Sequence, residues 1–173
     1  MKRCALLLLV SAFIAASVAG EPRSVDWSKL REQDSEAFPL VLDQLSVSEL
    51  IVLDPSATWA DPPSKKPQFH KWVVAARGSP ATVASGRSLV LSMRTIVDHP
   101  DDFAAACFEP HHAVVLIDGR RRFDVVLCFK CSQYKVYDAK GKLVWGGSFT
   151  TVRSKEEARW NAVFSGARFP GAN

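Results

Sequence analysis

Five residues in the second half of the chain have types and spacing that allow chemistry: Cys107, His111, His112, Cys128 and Cys131. Cys128-Phe129-Lys130-Cys131 is a C-x-x-C, which lets two thiolates reach one tetrahedral ion at about 2.3 Å. Cys107-Phe108-Glu109-Pro110-His111-His112 leads straight into an apolar run. Three structural readings compete. One is a Cys3His zinc site built from Cys107, His112, Cys128 and Cys131. The second is a disulfide, Cys128–Cys131 or one that involves Cys107, with one thiol left over. The third is plain burial of small apolar side chains. Cysteine count alone does not separate them. A catalytic use is the further alternative: Cys107 as nucleophile with His112 as base and Asp124 as orienter, or Cys128 and Cys131 as a thiol–disulfide pair. Neither carries the surrounding signature of such enzymes. A redox C-x-x-C usually opens a helix, and this one joins two strand-like runs. No residue is therefore assigned a catalytic role. His70, at the start of a strand, reads as a surface histidine or as one that reaches the cluster, and His99, before Pro100, is expected to sit at a helix end.

A hairpin brings the cysteines together. Ala113–Ile117 and Phe123–Leu127 are apolar runs separated by Asp118-Gly119, a strong turn signal. A two-residue loop at Asp118-Gly119 sets Cys107 opposite Lys130. A loop at Gly119-Arg120 sets it opposite Ser132. Either register gathers the three thiols at one end. Of His111 and His112, only one can face them, because neighbours alternate across a strand.

The other elements read as follows. Leu50–Leu53, stopped by Asp54-Pro55, and Trp72–Ala76 are strands. Pro55, Pro62, Pro63 and Pro67 mark a surface loop between them. Thr82 to Asp98 has apolar residues at helical spacing, with Thr82 as cap. Tyr134–Asp138 and Leu143–Trp145 complete a meander of up to four antiparallel strands. A last helix starts at Ser154 with a Ser154/Glu157 capping box, and Gly166 suits its end. The expected fold class is α+β, an antiparallel β-meander packed against one or two helices. Trp27, Trp72, Trp145 and Trp160 are assigned packing roles, and Trp59 an exposed contact.

The first twenty residues have the layout of a secretory signal peptide: Lys2-Arg3, an apolar run to Ala16, then Ser17-Val18-Ala19. The expected organisation is a signal peptide over 1–20, a loosely ordered arm over 21–47 and a single domain over 48–173. The localisation that follows is periplasmic or extracellular. Cys4 leaves with the leader, so three cysteines remain, an odd number in a disulfide-permissive compartment. Lys2 and Arg3 leave too, which lowers the formal charge of +4 to about +2. That is too little and too dispersed for nucleic acid. Arg120-Arg121-Arg122 reads as a solvated turn. After Ala16 no run is long and apolar enough to span a membrane.

The series Leu53-Asp54-Pro55, Phe69-His70-Lys71-Trp72, Ala106-Cys107-Phe108-Glu109-Pro110-His111-His112 and Leu127-Cys128-Phe129-Lys130-Cys131 resembles a group of small uncharacterised bacterial proteins, many of them exported. Their pattern is L-D-P, F-H-G, C-F-x-P-R-H-G and I-C-F-x-C. The resemblance covers roughly Leu50 to Pro170. Lys71 and Ala113 replace glycines, His111 stands where the group has arginine, and Leu127 replaces isoleucine. The resemblance implies that His112 is the cluster histidine. It implies no activity. With no catalytic signature, cofactor loop or charged patch, the expected function is an exported binding or interaction module stabilised by the Cys/His cluster, with zinc as the one cofactor considered and another exported protein as partner. The alternative is a thiol enzyme, redox or hydrolytic, using the same cysteines.

Overall fold

The computed structural model describes residues 38–58, 65–102 and 105–170. The leader, most of the arm, Trp27 and Trp59 lie outside the described residues. The chain forms a mixed α/β fold around one seven-stranded antiparallel sheet. Its elements are α1 (Phe38–Val41), β1 (Ser46–Asp54), α2 (Pro55–Thr58), β2 (Gln68–Phe69), β3 (Trp72–Gly78), α3 (Val83–Asp98), β4 (His112–Ile117), β5 (Arg122–Cys128), β6 (Gln133–Asp138), β7 (Leu143–Ser148) and α4 (Arg153–Ser165). The strand order is β2-β3-β1-β4-β5-β6-β7. Strands β4 to β7 form a meander. Both β3 and β4 run antiparallel to β1, one on each side of it, so they are parallel to each other, and α3 lies in the connection between them.

Strand alternation sorts the sheet residues onto two faces. Leu50, Val114, Leu116, Phe123, Val125, Leu127 and Val136 join Phe38 and the buried residues of α3 and α4 in one cluster. Ile51, Leu53, Ala113, Val115 and Val126, on the other face, cluster with Phe69, Trp72 and Val74, and Phe108 and Tyr137 lie against them. Burial on both faces explains why β4 and β5 read as continuous apolar runs rather than alternating ones.

Local signals hold where nothing distant competes. Thr82 caps α3: its Oγ1 accepts from the Ser85 amide at 3.0 Å, and the Ser85 hydroxyl oxygen accepts from the Thr82 amide at 3.0 Å. At the hairpin, the Asp118 amide donates to the Arg121 carbonyl at 3.3 Å, and Gly119 takes a φ of +85° that suits glycine. This is the Gly119-Arg120 loop, and Ile117 faces Arg122. Of the three arginines beside it, Arg121 bonds Asp118 and Gln44 and Arg122 bonds Asp124, so only Arg120 fits the solvated-turn expectation.

Other expectations are corrected. The Ser154/Glu157 capping box does not form. Helix α4 starts at Arg153, continues a 3-10 turn over Thr150–Val152, and has no side-chain cap. Instead Asp101 holds the entry, its carboxylate accepting from the Thr150 amide and, at 2.6 Å, from the Thr150 hydroxyl. Trp145 is 39% exposed on the terminal strand β7 rather than in the core. The ordered fold also begins before Ser48, inside the stretch assigned to the arm. Phe38, Leu42 and Leu45 are buried, and the Phe38 ring meets Phe123 edge-on at 5.1 Å.

That contact makes a prediction. Phe38→Ala should lower unfolding free energy by about 3 kcal/mol, as deletion of a buried aromatic ring does. Urea denaturation of the two proteins measures it. A loss under about 1 kcal/mol would show that the core does not need this segment.

Candidate functional site

The cysteines gather at one end of the hairpin. The Sγ atoms of Cys107 and Cys131, 24 residues apart in sequence, stand 3.1 Å from each other. Cys128 is buried, and its sulfur accepts from the Cys131 amide at 3.1 Å. All three are free thiols. The ladder stops at His112–Leu127, so Cys107 arrives on irregular backbone. That segment is fastened at several points. The Gln133 side-chain amide donates to the Ala105 carbonyl at 3.1 Å. Lys130 pairs with Glu109 at 3.0 Å. The Leu53 amide donates to the His111 carbonyl at 2.9 Å.

Both thiols of the pair are shifted upward in pKa. The hydrogen-bonding contact with Cys131, with a smaller part from desolvation, pushes the Cys107 thiol above the ordinary 9.0. Burial, and then the Cys128 contact, pushes Cys131 up as well. Protonated thiols attack poorly.

His112 does not point at the sulfurs. Its ring lies among aromatics, with centroids 4.7 Å from Phe164, 5.6 Å from Phe129 and 6.1 Å from Trp160. The reason is parity. His112 pairs with Leu127 and shares its face, while Cys128, one residue on, turns to the other side. Among the described residues no group of three or more His, Cys, Asp or Glu is arranged to hold a metal. Of the expected zinc set, Cys131 lies against both Cys107 and Cys128, and His112 stays apart. His111 is exposed.

A second constellation lies on the sheet face opposite the helices, and the sequence reading undervalued it. His70 is a partly buried partner rather than a free surface histidine. Its Nε2 is 3.1 Å from Oδ2 of Asp124, with side chains 13% and 8% exposed. Its ring stacks on Tyr137 at 4.0 Å and meets Phe69 edge-on at 4.7 Å. Arg122 grips the same carboxylate, Nε to Oδ1 at 2.7 Å and a terminal nitrogen to Oδ2 at 3.1 Å. Asp124 therefore orients His70, and not His112 as the nucleophile–base reading required. His70 also carries a φ of +54°, which is uncommon for a residue with a side chain and usually held by its surroundings. A signal for this was present in the sequence. Asp124 is the one acid in an apolar strand, a buried carboxylate needs a partner, and Arg122 stands two residues back on the same face.

One cleft of the described surface lies between β6 and β7, beside Gln133 and Lys135. Another, of about 460 Å³, runs between Gln44–Ser48 and the start of α3. Neither is lined by a cysteine or histidine. No described helix is long and apolar enough to cross a membrane. Compared with protein-family models, with curated proteins and with solved structures, the chain gives no match.

Two predictions follow from these contacts. Asp124→Ala leaves Arg122 and His70 without their shared acceptor and should cost about 3 kcal/mol. Denaturation measures it, and a loss under about 1 kcal/mol would show that this ion pair does not hold the fold. For His112, burial, and secondarily the nearby His111 charge, lowers the pKa from 6.5 to about 4. The unfolded chain then takes up a proton near 6.5 that the folded chain refuses until about 4. Stability from this group is full above the higher value and falls as pH drops between the two. The fall should reach about 3 kcal/mol. Comparing His112→Phe with the parent at pH 7 and at about pH 4.5 isolates it: the parent should lose more, and equal losses would sink the assignment.

Proposed function

We propose that this chain is an exported binding module, not a thiol enzyme, in which Cys107 and Cys131 fasten the segment 105–111 to the sheet. The 3.1 Å approach of the two sulfurs carries the reading. Three further features support it. The pKa values of both thiols are raised above the ordinary 9.0, away from those of reactive thiolates. The histidine expected as base is enclosed by aromatic rings. The acid expected as orienter is engaged with His70 and Arg122. In an exported compartment the fastener is a disulfide. A disulfide of an oxidising protein takes up two electrons and two protons from the pair and becomes a dithiol, leaving the Cys107–Cys131 bond. Cys128 stays as the odd thiol. The binding surface is the sheet face that carries His70, Tyr137 and Phe108, because Phe108 follows Cys107 directly and is placed by the same fastening.

Protein isolated without reductant or chelator tests this. The intact mass should be about 2 Da below the reduced form, peptide mapping should join Cys107 to Cys131, and Cys128 should alkylate only after unfolding. Reduction should lower stability by about 3 kcal/mol, the closure entropy of a loop this long. A thiolate titrating below about pH 7 at Cys107 or Cys131 would turn the reading to a thiol enzyme. About one zinc per chain with blocked thiols would replace the disulfide by a metal.

A further inference from the structure

Cys128 has no part in the proposed fastening, yet it lies in reach of it. Cys131 is the middle member of the three thiols. Its Sγ stands 3.1 Å from that of Cys107, and its amide donates to the Cys128 sulfur at 3.1 Å. An N–Cα bond adds about 1.5 Å, so the Cys128 sulfur lies within about 4.6 Å of the Cys131 Cα. A disulfide brings the two Cα atoms themselves only to about 5.5–6 Å. Residues 129–132 turn the chain from β5 into β6, with the Ser132 amide donating to the Phe129 carbonyl at 3.0 Å. Cys131 sits in that turn and Cys128 at its foot. Cys131 can therefore bond to either of two neighbours.

The two neighbours differ in their surroundings. Cys128 is 0% exposed and Cys131 1%, whereas Cys107 is exposed. Cys107 also lies on irregular backbone, beyond the end of the β4–β5 ladder. The Lys130–Glu109 pair that helps to hold its segment is itself exposed, and such pairs hold little.

Thiol–disulfide exchange requires a thiolate beside one sulfur of a disulfide and a leaving sulfur that can carry charge. With Cys107 bonded to Cys131, Cys128 is the thiol left over. Its attack on the Cys131 sulfur forms the Cys128–Cys131 bond and breaks the Cys107–Cys131 bond. One proton passes from Cys128 to Cys107, and no electrons enter or leave. Cys107 is the better leaving sulfur, because water solvates its thiolate, whereas attack at Cys107 would expel a buried Cys131 thiolate.

We propose that Cys128 exchanges with the Cys107–Cys131 disulfide and so turns Cys107 into a reactive thiol at the surface. The exchange also unfastens the segment 105–111. Phe108, on that segment, belongs to the proposed binding surface, so the choice of bond at Cys131 sets whether that surface is held. This inference rests on the disulfide proposed above.

Alkylation of the oxidised protein under native conditions tests it, with iodoacetamide at about pH 8 and no reductant. The buried Cys128 should stay unlabelled. Exchange should instead present Cys107 to the reagent, and peptide mapping should find a single label at Cys107 with Cys128 joined to Cys131. Cys128→Ala has no thiol to exchange, so it should keep its Cys107–Cys131 bond and lose the label. Circular dichroism confirms that this variant folds. In the parent alone, an unlabelled Cys107 with its bond to Cys131 intact overturns the proposal. Label at Cys107 of the folded Cys128→Ala variant overturns it as well. Mapping of the protein before alkylation reports on the disulfide separately. Protein that is fully reduced, or joined only at Cys128–Cys131, removes the proposed fastening and this exchange together. The expected Cys107–Cys131 bond with no native label removes the exchange alone.

Discussion

The His70–Asp124 pair ties the two sides of the curled sheet together. His70 sits at the turn that begins β3, and Asp124 is on β5. In sheet order β1 and β4 lie between those strands. Across a flat sheet, three steps of about 4.8 Å would hold them roughly 14 Å apart. A hydrogen-bonded approach therefore requires the sheet to bend, with the β2–β3 turn brought over toward β5 and β6. That bend is what encloses Phe69 and Trp72 with Ala113, Val115 and Val126. Each member would be unfavourable alone. An unpaired buried carboxylate is expensive, and a left-handed histidine stores about 1–3 kcal/mol of strain. Arg122, Tyr137 and Phe69 surround the pair, so the charge is compensated and the strain is held by several contacts at once.

The two faces of the sheet then carry different chemistry. On the helix side, α3 and α4 are joined by the buried Trp160 indole donating to the Ser92 hydroxyl at 2.9 Å. His112 belongs to that side as a ring among rings, and its depressed pKa keeps it neutral. On the other side polar groups are concentrated: the Arg122–Asp124–His70 chain, Lys71 and Lys135 over aromatic faces, and the segment that Cys107 begins. Cys107 meets Cys131 across the end of the hairpin, and Phe108 reaches Trp72 from the same short stretch. The thiol contact and the Trp72–Phe108 contact thereby come from one short stretch of chain.

Parity shows how a legible signal can be overlooked. With the loop at Gly119-Arg120, the strand sums pair His112 with Leu127, as observed, and leave His111 as the residue on the Cys128 side. The alternation rule therefore disfavoured His112 as a ligand before any coordinates. The resemblance that selected it concerned residue order and not the direction of side chains. The capping box at Ser154 failed for a different reason. Its two residues are adjacent enough to form it, but Asp101, 49 residues from Thr150, supplies the stronger charged acceptor and starts the turn earlier.

What the sequence by itself determined is local: β-branched runs made the strands, Thr82 and Ser85 closed the start of α3, and a turn within Asp118–Arg120 joined β4 to β5 as a hairpin with the cysteines at one end. These features need only neighbouring residues, or two runs joined by one short turn; which of the two loops forms, Gly119-Arg120, and the path of Cys107 beyond the ladder were left to the tertiary structure. What only the tertiary structure decided is the insertion of β1 between β3 and β4, the entry of Phe38 into the core, and the pairing of His70 with Asp124 across 54 residues of chain. Periodicity states which face of an element is apolar and not which other element will cover it. That choice was made by burial on both faces of β4 and β5 and by the need of one buried carboxylate for a partner.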